Sequence, residues 1–182
     1  MQVISNAAFE AARQHYTSFA LVAAAHLAKE VGFSYDAVDF APSTAAEVQA
    51  AYHVSMTDRC AFPVWNGASE NTVFTCKEGN WAFRFWHDVV SHGSHGLGFD
   101  TKDELKAGMQ WVERVAREFG ATSIEAMIAY ADTCGQSLYC EQHGEFPEDQ
   151  IGFVRHYLNV GGAHGTLVGL EMQSQQAALV AA

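Results

Sequence analysis

Basic residues are scarce in this chain. Ten lysines and arginines stand against 21 aspartates and glutamates in 182 residues, a formal net charge of −11. A chain that acidic is not built to grip a phosphate backbone, so nucleic-acid binding as its main task is excluded. A small phosphate ester is still admissible as substrate, because a bound cation could balance its charge. Long apolar runs are also missing. The best candidate, Phe19–Ala28, is short, contains His26 and has no basic stretch before it, so neither a membrane span nor a signal peptide is expected. The four cysteines, Cys60, Cys76, Cys134 and Cys140, form no CxxC pair. Free thiols in a reducing cytoplasm fit that spacing better than a disulfide framework. No internal repeat and no linker divides the chain, and nearly half of it is apolar, which predicts one domain with a substantial core.

What is present is mostly helical signal. Ser5 or Asn6 can cap a first helix ending at Gly32, with Phe9, Ala12, Tyr16, Phe19, Ala23 and Leu27 at steps of three and four. Thr44 and Glu47 have the spacing of a capping box and open a second helix carrying Val48, Tyr52 and His53. Thr101 with Glu104, and Thr122 with Glu125, repeat that spacing before helices that end at Gly120 and near Gly144. Pro147 stands where a first-turn proline belongs, opening a helix towards Gly161. The Ala- and Gln-rich tail after Gly165 is a last helix or a frayed end. The segment Thr57–Asn80 differs: Pro63, Asn66–Gly67 and Glu78–Gly79 punctuate short apolar runs, as in a long ordered loop or small hairpin. The expected fold is all-α, six or seven helices with this one excursion.

The chemistry concentrates in Trp81–His95, WAFRFWHDVVSHGSH. As a helix it is apolar round most of its circumference, with Trp81, Phe83, Phe85, Trp86, Val89 and Val90. Arg84, His87, Asp88, Ser91, His92 and His95 recur at steps of three and four and share one stripe. Imidazoles and a carboxylate are costly to bury unless they bind something, and a divalent metal suits neutral His and ionised Asp. The plainer alternative is a satisfied polar network without metal, with His92–His95 as the loop that ends the helix. His143, His156 and His164 read as ordinary helix-end or surface histidines.

The dyad His87–Asp88 resembles the signature of the HD-domain metal-dependent phosphohydrolases. Two further stretches extend the resemblance. Gln14–Ala28, QHYTSFALVAAAHLA, is similar to that family's first motif, and Ala129–Cys140, AYADTCGQSLYC, to its last. The resemblance implies a helical metal site with His15, His87, Asp88 and Asp132 as ligands; His53 competes with His15 for the first position. It also implies hydrolysis of a nucleotide or another small phosphate ester with manganese, cobalt, magnesium, zinc or iron. Arg84, one turn before Asp88, would hold the phosphate, and His92, one turn after it, would donate or shuttle a proton. The run FRFWHDVVSHGSHGLGFDTKDE is also similar to uncharacterised phage-encoded proteins.

Two other classes stand beside this one. A second metal geometry draws on His87, Asp88 or His92 with Glu104 from the next helix, and two histidines with one carboxylate suit a non-haem iron or zinc centre. A capping-box role would compete for Glu104. The other class is a non-enzymatic interaction protein that binds a host protein or itself through aromatic segments such as Phe62–Trp65.

Overall fold

A computed structural model of the chain describes residues 4–159. Its first helix, α1 (Asn6–Val31), starts where Ser5 Oγ accepts the Ala8 amide and stops at Gly32, whose φ of 82° is left-handed. A short strand, β1 (Tyr35–Val38), precedes α2 (Ala45–Asp58). The capping box of α2 is complete: Glu47 N–H donates to Thr44 Oγ1 at 3.3 Å, and Thr44 N–H donates to Glu47 Oε2 at 3.0 Å. Strand β2 (Phe62–Trp65) then leads to α3 (Lys77–His87), a π-helical segment (Asp88–Ser94) and α4 (Thr101–Phe119). Helix α5 (Ile124–Tyr130) runs through a second π-helical segment (Ala131–Gly135) into α6 (Gln136–His143), and α7 (Gln150–Asn159) follows. The fold is all-α but for the two strands. Among the described residues no helix is long and apolar enough to cross a membrane, and all four cysteines are free.

Three local expectations change. The excursion makes no hairpin: β2 pairs in parallel with β1, Tyr35 opposite Phe62 and Val38 opposite Trp65, with α2 as the crossover that a parallel pair requires. The rest of the excursion is held by side chains of α1. Arg13 Nε donates to Val73 O at 2.9 Å and its Nη2 donates to the carbonyls of Thr72 and Phe74, each at 3.2 Å. Thr75 N–H donates to Thr17 Oγ1 at 2.9 Å. Pro147 does not open α7; Asp149 does, its Oδ1 accepting the Gly152 amide at 2.9 Å. The α5 cap is Ser123, not Thr122. His143 and His156 are exposed, while His164, the tail after Gly165 and the expected helix end at Gly161 lie outside the described residues.

An aromatic cluster organises the core. Trp111, fully buried on α4, has Trp86, Phe83, Phe19 and Tyr16 around it at centroid distances of 4.9, 5.3, 5.5 and 6.2 Å. These residues draw α1, α3 and α4 together. Helix α2 packs against the first π-helical segment, where Tyr52 lies on Gly93. A Cβ on Gly93 would stand 2.7 Å from Tyr52 Cγ and 2.9 Å from its Cδ2, with no flexible chain end to give way. Gly93→Ala is therefore expected to cost about 1–3 kcal/mol in urea unfolding. Tyr52→Leu in the same chain should restore part of the loss; if Gly93→Ala alone is neutral, this contact does not position the segment.

Candidate metal centre

The polar stripe of Trp81–His95 does not survive as one face. Helix α3 ends at His87, and the backbone then steps by five residues, with His95 N–H donating to Val90 O at 3.1 Å. In an α-helix, residues five apart point about 140° from each other; the wider π-helical turn brings them round to the same side. His87 Nε2 and His92 Nε2 thus stand 3.0 Å apart. Ser91 turns away and donates to Gln110 Oε1 at 2.9 Å, and exposed His95 meets the Gln110 amide at 3.0 Å.

Glu104 completes the group from the first turn of α4. It is free to do so because α4 is capped one residue earlier than the Thr101–Glu104 spacing suggests. Asp100 Oδ1 accepts the Asp103 amide at 3.1 Å, and Asp103 accepts from Gly98 N–H at 2.9 Å and from Lys106 at 2.6 Å. The Glu104 carboxylate instead lies 3.5 Å from His87 Nε2 and, through its other oxygen, 3.5 Å from His92 Nε2. Donors bonded at about 2.0–2.1 Å to one ion stand roughly 3–3.5 Å apart. The triad meets that spacing with both Glu104 oxygens in use, and with one ligand atom from each residue it lies within 4.8 Å.

The protonation states suit the same use. His92, fully buried, has Nδ1 3.0 Å from Leu97 O. A carbonyl only accepts, so Nδ1 carries the proton and the Nε2 lone pair faces His87 and Glu104. That is the outer contact that orients a metal-binding imidazole. Phe99 closes over the ring edge-on at 4.5 Å. His87 Nδ1 is buried without a hydrogen-bond partner among the described residues, so His92 is the more firmly aimed of the two. Burial lowers the His87 imidazole, but the contact with Glu104 and the charges of Asp88 and Glu104 more than offset it, leaving its pKa raised. His92 lies below its ordinary value, held down by burial and by the charge of His87.

Asp132 faces the same region. A cavity of about 140 Å³ is lined by His87, Glu104, Asp132, Thr133, Ser137, Phe83 and exposed Phe146. Gln136 Nε2 donates to Asp132 Oδ1 at 2.9 Å, and Tyr16 O–H donates to Oδ2 at 3.4 Å. Tyr16 is itself held by Trp111 Nε1–H at 2.7 Å. Burial pushes the Asp132 carboxyl up to about 7 against the pull of Tyr16 and Arg84, and pushes Asp88 up to about 6 against the charges of His87 and Arg84. Both values exceed those of an unfolded chain, so the folded chain holds extra protons between about pH 4 and 7 and loses stability as pH rises through that range. Metal-free protein should need less urea to unfold at pH 8 than at pH 5, and Asp132→Asn should flatten the trend. A stability that climbs across this range would contradict the raised pKa of Asp132.

The remaining expected residues lie elsewhere. His15 is exposed on α1, 2.9 Å from Glu125 and stacked near Phe119. Its neighbour Tyr16 is the residue that points inward. His53 is exposed on α2 beside Tyr52. Neither joins the triad. Asp88 sits at the end of α3, within the electrostatic reach of His87, Glu104 and Arg84 but not among the converging ligand atoms. Arg84 Nη1 donates to Trp65 O at 2.6 Å and Gly67 O at 2.7 Å, with the guanidinium 5.0 Å from the Trp65 ring. It anchors the loop after β2. Comparison with protein-family models, curated proteins and solved structures finds no match to this chain.

Proposed function

We propose that this chain is a metal-dependent hydrolase whose divalent ion is held by His87, His92 and Glu104. The observation that carries the reading is the convergence of two imidazole nitrogens and a carboxylate, of which His87 and Glu104 line a cavity that also holds Asp132. A bound ion would acidify a water molecule and polarise an ester or phosphoryl oxygen. The residues supply the rest. Leu97 O holds His92 in the ligating tautomer, Glu104 balances part of the ion's charge, and Asp132, with its pKa near 7, can take a proton from water or give one to a leaving group. Phe83 and Phe146 give the cavity apolar surface.

The substrate in this proposal is a small phosphate ester or a nucleotide presented by its phosphoryl end. A cavity of about 140 Å³ is well below the roughly 300 Å³ at which sites for whole drug-sized ligands begin, so it takes only the reacting group. Neutralising that group falls to the ion, because Arg84 is engaged with the loop after β2.

The experiment is a hydrolysis panel of nitrophenyl phosphate and mono-, di-, tri- and cyclic nucleotides. It uses protein purified without a histidine tag and loaded with Mn²⁺, Co²⁺, Mg²⁺ or Zn²⁺. Turnover should require metal. Asp132→Asn should lower it by about a hundredfold or more while leaving the metal in place. Arg84→Met should lower stability by about 2–3 kcal/mol with metal content unchanged. Metal-loaded protein that is inactive across the panel would sink the hydrolase reading. The same two-histidine, one-carboxylate set favours one second reading, a non-haem iron centre. Selective retention of Fe²⁺ would decide for it.

A further inference from the structure

A further cavity lies away from the residues of the candidate metal centre and shares none of them. It is a groove of about 500 Å³ between α1 and α4, and its size is that of a small-molecule site. Phe19, Ala23 and Phe119 form an apolar floor, and Val22, half exposed, forms part of the rim. Arg114 and Arg117 stand on the α4 side.

Arg114 is the group that needs explaining. In a chain with twice as many acidic as basic side chains, partners for a guanidinium are plentiful. Arg13, Arg59 and Arg84 all donate to carbonyls, and Arg117 lies 3.6 Å from Glu113. Arg114 makes no ion pair or hydrogen bond among the described residues. Its Nε is buried without a partner, and its one specific contact is with the Trp86 ring, 5.7 Å away. The residue is half-buried and its two Nη groups are neither buried nor hydrogen-bonded among the described residues, so they are open to an acceptor carried in by a ligand. Glu118 also lines the groove, yet it forms no pair with Arg114. Arg114 also lines a second cavity of about 270 Å³.

We propose that this groove binds a small amphipathic carboxylate. Its apolar body lies on Phe19, Val22 and Phe119, and its carboxylate pairs with Arg114. A planar carboxylate matches the guanidinium fork, and its single charge is the smallest anion to bring to a protein of net charge −11. The proposal does not depend on the hydrolase reading.

Isothermal titration with decanoate, below its micellar concentration, tests the idea, with decanol as the uncharged control. Wild-type protein should bind decanoate at least about tenfold more tightly than decanol. Arg114→Met should erase that preference while keeping the decanol affinity, and Arg114→Lys should retain part of it. Val22→Trp, which fills the groove from its exposed rim, should weaken both ligands. Circular dichroism establishes that each variant is folded. Equal affinity for the two ligands in wild type, no binding of either, or decanoate binding unchanged in Arg114→Met would each overturn the proposal.

Discussion

Replacing His92 with alanine is expected to abolish metal binding and to lower the melting temperature even in chelator. Two effects add. The imidazole is fully buried, and its removal leaves a void beside Phe99 and His87, a loss of about 2–5 kcal/mol for a large-to-small change in a core. In a chain of this length each kcal/mol lowers the melting temperature by roughly 2–4 °C. The second effect is linkage: an ion that binds only the folded chain stabilises it, so a variant unable to bind loses that increment as well. Glu104→Gln separates the two. It keeps the side chain's volume at a half-buried position and removes the charge, so in chelator its melting temperature should fall far less than that of His92→Ala. Adding metal should raise the wild-type value and leave both variants unmoved. A wild-type protein that melts at the same temperature with metal and with chelator would remove the linkage.

Trp111→Ala should be the most damaging change in the core. It removes the ring around which Tyr16, Phe19, Phe83 and Trp86 are arranged, at an expected cost of about 3–5 kcal/mol in urea unfolding. The effect extends to the cavity wall. Trp111 Nε1–H holds Tyr16, and Tyr16 O–H donates to Asp132, so the indole sets the position of the carboxyl through one intermediary. Trp111→Phe keeps most of the packing and removes the donor. It should cost about 1 kcal/mol beyond the lost volume, and it should leave metal content unchanged because no triad residue rests on that hydrogen bond. If Trp111→Phe lost the metal, the core and the triad would be coupled by a contact other than this chain.

The helices were legible because their ends are local. Ser5 and the Thr44–Glu47 pair act within one turn, and the glycines at 32, 120 and 144 end their helices where a positive φ favours them. The parallel sheet was not legible, since Tyr35–Val38 is a four-residue strand with no alternating pattern and its partner lies across a helix. At the site, the right stretch of sequence stood out while the geometry within it did not. A step of three and four put Arg84, His87, Asp88, Ser91, His92 and His95 together on one stripe. The π-helical turn replaced that with a step of five, and no residue type announces the change. Glu104 depended on a choice between Asp100 and Thr101, adjacent residues that both cap helices well. The placement of His15 was within reach: an α1 stripe through Phe9, Ala12, Tyr16 and Phe19 turns Tyr16 inward and the residue before it outward. Arg84 and Asp132 could not be read alone, because each is defined by a partner far along the chain, Trp65 and Gly67 for one and Tyr16 for the other.

The proposed metal site is formed by His87, His92 and Glu104 together. Elemental analysis by mass spectrometry tests it most directly, on untagged protein incubated with a mixture of Mn²⁺, Fe²⁺, Co²⁺ and Zn²⁺ and then desalted. Wild type and Asp132→Asn should each retain about one divalent ion per chain, whereas His92→Ala and Glu104→Gln should retain none. Wild-type protein that keeps no ion, or His92→Ala and Glu104→Gln variants that keep as much as wild type, would contradict it.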